Sequence, residues 1–189
     1  MEEIRDKVFK DLDWEFLPNE NKEINRENFT KTISANIVKV DHQLKKLPDG
    51  FEIWFYVNRS LEEFDHLLPK ILPQSGPGRF ILEFTNFVSG IFTREQYEDE
   101  LTKLLLEVEE WAKQKTLEVQ VKKFCKEIPD KPPTAQKAHI LALAYAADFN
   151  TLLDYQQTFE KGHRLNFAPV ITKDVIDRAV AIAIDRFEG

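Results

Sequence analysis

Between Thr93 and Ile128 the apolar residues recur at three- and four-residue steps: Tyr97, Leu101, Leu104, Leu105, Val108, Trp111 and Ala112. On a helix that spacing gathers them into one stripe. Thr93 and Gln96 make a capping box ahead of it. Carboxylates crowd the first half (Glu95, Glu98, Asp99, Glu100, Glu107, Glu109, Glu110) and lysines the second (Lys113, Lys115, Lys122, Lys123, Lys126), which suits the partial charges at the two ends of a helix. Past Trp111 the phase slips. Leu117, Val121, Phe124 and Ile128 form a second stripe, while Leu117, Val119 and Val121 also alternate. The pattern therefore predicts a kink or a short strand near Thr116, with 116–122 open between helix and strand.

Ahead of this stretch, Ile4, Val8 and Leu12 share a helical face, and Trp14, Phe16 and Leu17 read as an extended segment before Pro18. Asn19 to Asn28 is polar and reads as a loop or an exposed helix start. Residues 29–44 are ambiguous: Phe29, Ile33, Ile37, Val40 and Leu44 keep helical spacing, yet the β-branched content favours a strand from Ile37 onward. Pro48-Asp49-Gly50 is a turn, and Phe51 to Val57, apolar on both faces, reads as a central strand. Ser60 and Glu63 cap a short helix lined by Leu61, Phe64, Leu67 and Leu68 and limited by Pro69 and Pro73. A turn at Gln74–Gly78 leads to a strand over Arg79–Val88. Strand, helix, strand predicts a crossover, compatible with parallel pairing.

Pro129-Asp130-Lys131-Pro132-Pro133 is the strongest linker signal. Beyond it Thr134 caps an alanine-rich helix, Asp148 and Asn150 mark a corner, and Leu152, Leu153, Gln156 and Phe159 line a helix ended by Gly162. Thr172 starts a last helix with Val175, Ile176, Ala179, Val180, Ala183 and Phe187 inward. No second copy of the helical pair over 134–161 follows at a fixed period, so no repeat family is claimed. The expected fold is α+β: a small sheet covered by helices in the N-terminal half, a long central helix and a helical C-terminal half. The expected organisation is 1–128 as the sheet region with the long helix and 134–189 as a helical subdomain packed on it.

Composition narrows the function classes. The chain has 189 residues and a formal charge of −7, from 26 Lys and Arg against 33 Asp and Glu. That length supports a sizeable core, and the negative balance argues against a nucleic-acid coating role. One cysteine excludes an internal disulfide and suits a reducing compartment. The start, Met1-Glu2-Glu3-Ile4-Arg5, lacks a basic, apolar secretory pattern, and no apolar run suggests a membrane span. The expectation is a cytoplasmic protein, without membrane or nucleic-acid partner.

Motifs for chemistry are scarce. His42, His66, His139 and His163 show no metal-ligand spacing, so no metal and no cofactor is expected. Gly76-Pro77-Gly78 precedes a strand and loses an N–H to proline, which favours a turn over a phosphate cradle. Cys125, among Lys122, Lys123 and Lys126, is either an activated thiolate or a half-buried structural thiol, the second fitting how often free cysteines are buried. The candidate binding residues are His163, Arg164, Asn166 and Phe167, in a ten-residue connection between helices that mixes titratable and apolar groups. The plainer reading of that loop is a packed connector plugged by Phe167. Two functions from different classes follow. One is a non-enzymatic interaction module (an acidic binder, chaperone or adaptor), which the abundant aromatics favour. It resembles, in class and not in motif, the acidic chaperones of bacterial secretion systems, where the helical half after Pro133 has no counterpart. The other is an enzyme with a pocket between the sheet and the C-terminal helices, using His163, Arg164 and Tyr145 or Tyr155.

Overall fold

A computed structural model of the chain describes residues 1–18, 27–73, 83–114, 117–126 and 132–188. In chain order the described elements are α1 (Glu2–Asp11), β1 (Glu15–Leu17), β2 (Glu27–Ile33), β3 (Asn36–Leu47), β4 (Gly50–Leu61), α2 (Glu62–Ile71), β5 (Glu83–Val88), a single 3-10 turn (Arg94–Gln96), α3 (Tyr97–Gln114), α4 (Leu117–Cys125), α5 (Pro133–Tyr145), α6 (Phe149–Glu160) and α7 (Lys173–Glu188). The class is α+β. The chain forms two compact units, one from Met1–Leu61 with Ile81–Lys115, the other from Glu62–Phe80 with Thr116–Gly189.

The first unit is a sheet with helices on one face. Its five strands run in the order β1-β2-β3-β4-β5, every neighbouring pair antiparallel. The ambiguous stretch 29–44 is thus strand, turn, strand. Ile33 faces Asn36 across a two-residue loop in which Ser34 and Ala35 have φ of 49° and 65°. Such left-handed loop residues match the twist of a hairpin. Pro48-Asp49 makes the next hairpin, with Leu47 opposite Gly50. Gly50 is required there because a Cβ would lie 2.5 Å from the Phe92 carbonyl oxygen. That close approach comes from the bridge between Phe51 and Phe92, which hydrogen-bond each other in both directions.

The strand–helix–strand crossover is corrected in one respect. β4 and β5 do share the sheet, but they pair antiparallel, with Arg59 opposite Glu83 and Trp54 opposite Val88. The chain re-enters the sheet beside the end it left, so α2 is an excursion and not a traverse along the strands. The core lies on the face carrying Phe29, Val38, Val40, Ile53, Phe55 and Val57, packed with Val8 and Phe9 of α1 and with Leu101, Leu104, Leu105 and Val108 of α3. Phe9 stacks on Phe29 with ring centroids 3.6 Å apart. Ahead of α3, the Gln96 side chain accepts from the Thr93 N–H at 2.8 Å, the reach-back half of the capping box.

The second unit is helical, and its centre is α5. Ala138, Ile140, Leu141, Ala142, Leu143 and Ala144 are all buried, so α5 is apolar on every side, as a helix enclosed by others must be. It packs against α2, α4, α6 and α7. Several expectations change here. Of the two alternatives for 116–122, the strand is set aside: 117–125 is helical, and α3 and α4 are separate helices in different units, one on each side of the phase slip near Thr116. Pro69 lies inside α2, which runs on to Ile71. Pro132, not Thr134, holds the cap position of α5, whose first helical residue is Pro133; its missing N–H would have been unpaired anyway. Phe187 is 68% exposed, one turn beyond the last buried residue of α7, and meets Phe149 edge to face. Asp148 caps α6 through the Thr151 N–H, and Gly162, with φ of 83°, closes its far end. The expectations for 19–26, for the turn at Gln74–Gly78, for 79–82 and for the linker at 129–131 fall outside the described residues.

Candidate functional site

The loop after α6 is tied to itself and to α5. Arg164 donates through Nη2 to the carbonyls of Ala168 (3.1 Å) and Ile171 (2.9 Å), and its guanidinium lies over the Phe159 ring. Gln136 of α5 clasps the turn from below. Its Nε2 donates to the Asn166 carbonyl at 3.3 Å, and its Oε1 accepts from the Ala168 N–H at 2.7 Å. Leu165 and Asn166 both have positive φ, 51° and 60°. Phe167 is buried against Tyr155 and Phe159, while His163 is exposed. Beneath the loop, His139 Nδ1 sits 2.7 Å from the Phe124 carbonyl and Nε2 3.0 Å from the Tyr155 hydroxyl. A carbonyl only accepts, so Nδ1 carries a proton and donates to it, while Nε2 meets the Tyr155 hydroxyl. Arg164, Asn166 and Phe167 therefore hold the connection in shape, with His163 at its rim. Tyr145 lies elsewhere in the unit, packed edge to face on Phe64 and under the Arg186 guanidinium.

A second constellation, in the first unit, had no sequence motif. Glu27 and His42 are cross-strand partners, and Tyr97 opens α3 above them. His42 Nε2 is 3.3 Å from the Tyr97 hydroxyl, and Nδ1 is 4.0 Å from the Glu27 carboxylate. Glu27 also pairs with Arg5 of α1, which grips Asp6 at 2.7 Å. Burial, then the Arg5 charge, lowers the His42 pKa to about 4, and burial raises that of Tyr97 to about 12. The ring is neutral and the phenol protonated at pH 7. Two clefts, of about 380 and about 300 Å3, flank Arg5 and Glu27. The order carboxylate, imidazole, hydroxyl is that of an activated nucleophile. Tyr97, however, is only 1% exposed. With His42 it lies in the wall of the smaller cleft, and the line from Arg5 through Glu27 and His42 ties α1 and α3 to the sheet.

Two further polar ties share that face. Glu109 of α3 receives Lys31 at 2.8 Å and the Trp14 indole at 3.2 Å. Arg59, with no exposed surface, pairs with Glu83 at 2.8 Å and lies over the Trp111 ring.

The opposite face of the sheet is different in kind. Trp54 and Tyr56 alternate along β4, and Phe84 comes beside them from β5, one pair away from Tyr56 opposite Asn86. The rings form a ladder: Trp54 on Tyr56 at 6.3 Å and 30°, Tyr56 on Phe84 at 6.4 Å and 22°. Lys45 caps it with its ammonium 3.5 Å from the Trp54 ring centre, and the Trp54 indole donates to Glu52. Phe84 is 55% exposed and Val88, opposite Trp54, is 41% exposed. Ile91, just beyond, is 59% exposed. Charged groups flank the ladder: besides Lys45 and Glu52 at Trp54, Asp41 of β3 stands opposite Tyr56 and pairs with Lys39 at 3.2 Å.

Residues 3–184 match the model of DUF6990, described as a family of unknown function. The chain belongs to that family. No curated protein and no solved structure matches it.

Within this DUF6990 chain Cys125 is half-buried, and burial, followed by the Asp148 charge, raises its thiol to about 11. The neighbouring lysines do not activate it. Among the described residues no group of three or more His, Cys, Asp or Glu side chains is placed to hold a metal ion, and no helix is long and apolar enough to cross a membrane.

Proposed function

We propose that this DUF6990 protein is a non-enzymatic interaction module, an acidic cytoplasmic binder that holds an apolar segment of another protein on the aromatic face of its sheet. The observation that carries this reading is the Trp54–Tyr56–Phe84 ladder with Val88 beside it, its outer rung more than half exposed. Contiguous apolar surface on a soluble domain marks a place where something docks. Stacked rings suit that task because they present large rigid area at small cost in side-chain freedom. The −7 charge keeps such a surface away from polyanions and favours a protein partner.

The test is fluorescence anisotropy with a panel of labelled peptides of about a dozen residues, rich in Leu, Phe and Tyr. Binding in the micromolar range is expected, weakened at least tenfold (about 1.4 kcal/mol) by Phe84→Ser, with Leu106→Ser on the exposed side of α3 as the unaffected control. Failure of every apolar peptide to bind, or equal loss in both variants, sinks the reading.

A further inference from the structure

The edge of β5 points to a second copy of the chain. β5 is the last strand of the sheet among the described residues. Its ladder with β4 has a defined phase: the Ser89 N–H donates to the Ile53 carbonyl at 3.0 Å, and the Ile53 N–H donates back to the Ser89 Oγ at 2.9 Å. Ser89 and Ile53 are thus a hydrogen-bonded pair, and so, at every second position, are Phe87 with Phe55 and Thr85 with Val57. The intervening residues Phe84, Asn86 and Val88 turn their N–H and C=O groups outward. These same residues carry their side chains on the aromatic face, and all three are exposed.

We infer that two copies join β5 to β5 in antiparallel fashion about a two-fold axis at Asn86. This register is self-complementary on three counts. Asn86 meets its own copy, so both main-chain bonds of that pair are made by symmetry. Phe84 falls opposite the partner's Val88, and Thr85 opposite the partner's Phe87, so large side chains meet smaller ones on each face. Every outward group of Phe84, Asn86 and Val88 gains a partner. A register shifted by one residue would set Phe84 opposite a residue on the other face, which the pleat forbids.

Charge agrees with this occupant. From Phe84 to Phe92 the chain has no charged residue, and Glu83 would face the partner's Ser89. Two molecules of charge −7 repel in general, yet no like charges oppose each other along this edge. Nor does β5 carry the usual guards of a free edge, a lysine, a proline or an inward charge after Glu83. The other edge, β1, has three residues and begins with Glu15. The inference concerns the backbone edge and stands apart from partner holding by the face, but pairing would join the two aromatic ladders into one surface.

Sedimentation equilibrium of the full chain between roughly 5 and 500 μM tests it, because a junction below ~1,200 Å2 is expected to be in reversible exchange. The expected result is a concentration-dependent rise to twice the 22.2 kDa chain mass. Asn86→Lys, an exposed position where each new ammonium would face its copy, should abolish the rise while leaving the circular dichroism and the melt unchanged. In a Cys125→Ser background, Asn86→Cys should form a disulfide-linked dimer on mild oxidation, since hydrogen-bonded antiparallel partners have Cα atoms about 5.5 Å apart, within disulfide range. Thr85→Cys, which does not face itself, should not. A single-chain mass throughout the range, a dimer untouched by Asn86→Lys, or equal cross-linking at positions 85 and 86 would each overturn the inference.

Discussion

At His42 the surroundings are legible as a pH response. The unfolded imidazole titrates near its ordinary 6.5, while the folded ring, desolvated and beside Arg5, accepts a proton only near pH 4. Between those values the unfolded chain binds the extra proton, so this residue's share of stability is intact above about pH 6.5 and is lost as pH falls toward 4. The slope approaches ~1.4 kcal/mol per pH unit within that window. Urea melts of the wild type and His42→Gln between pH 7 and pH 4.5 should converge as pH falls, because the glutamine variant lacks this step. Parallel curves would mean the ring is already protonated or exposed when folded. No sequence signal brought Glu27, His42 and Tyr97 together: 15 and 55 residues separate His42 from the other two, and only the β2–β3 register and the seat of α3 join them. The loop residues His163, Arg164, Asn166 and Phe167 were conspicuous for the opposite reason. Their mixture of types stood out locally, but it also serves a self-capped connection held by Gln136, a partner 30 positions away from Asn166.

Among the elements, the legible ones obey a single period. The stripe of α3 ran unbroken to Ala112, and its Leu101, Leu105, Val108 and Ala112 are fully buried. Where two periods coexist, the letters do not decide. Residues 29–44 fit a helix by their four-residue steps and a strand by Val38 and Val40 two apart, and the hairpin wins because both strands find ladder partners on either side. Nothing local announced that hairpin, since Ser34-Ala35 lacks the usual Asn-Gly pair. Two L-residues held at positive φ store strain of order 1 kcal/mol each. The double variant Ser34→Asn with Ala35→Gly should therefore raise stability by about 1–2 kcal/mol in denaturant melts, with no change in slope. A loss of stability would show that the tip makes contacts beyond its backbone. Strand direction was likewise out of reach. The same letters over 51–88 serve parallel and antiparallel pairing, and α2, which belongs to the other unit, reads like any crossover helix.

For the whole molecule, the division into units follows from what each central element needs. β4 has other strands on both sides and a core face filled by α1 and α3, whereas α5 is apolar all round and needs helices about it. The alanine-rich composition after Pro133 signalled that second requirement. The aromatic ladder was half legible: Trp54 and Tyr56, two apart on a strand, must share a face. Phe84 joins them only through the antiparallel register. Partner holding depends on that face receiving an apolar segment. Its most direct test is a 1H–15N NMR titration of the intact chain with an apolar, aromatic peptide, reading the indole N–H signals of the three tryptophans. Trp54 should shift progressively and saturate while Trp14, buried on the opposite face and bonded to Glu109, stays in place. An unmoved Trp54 signal at saturating peptide, or a shift confined to Trp14, would contradict it.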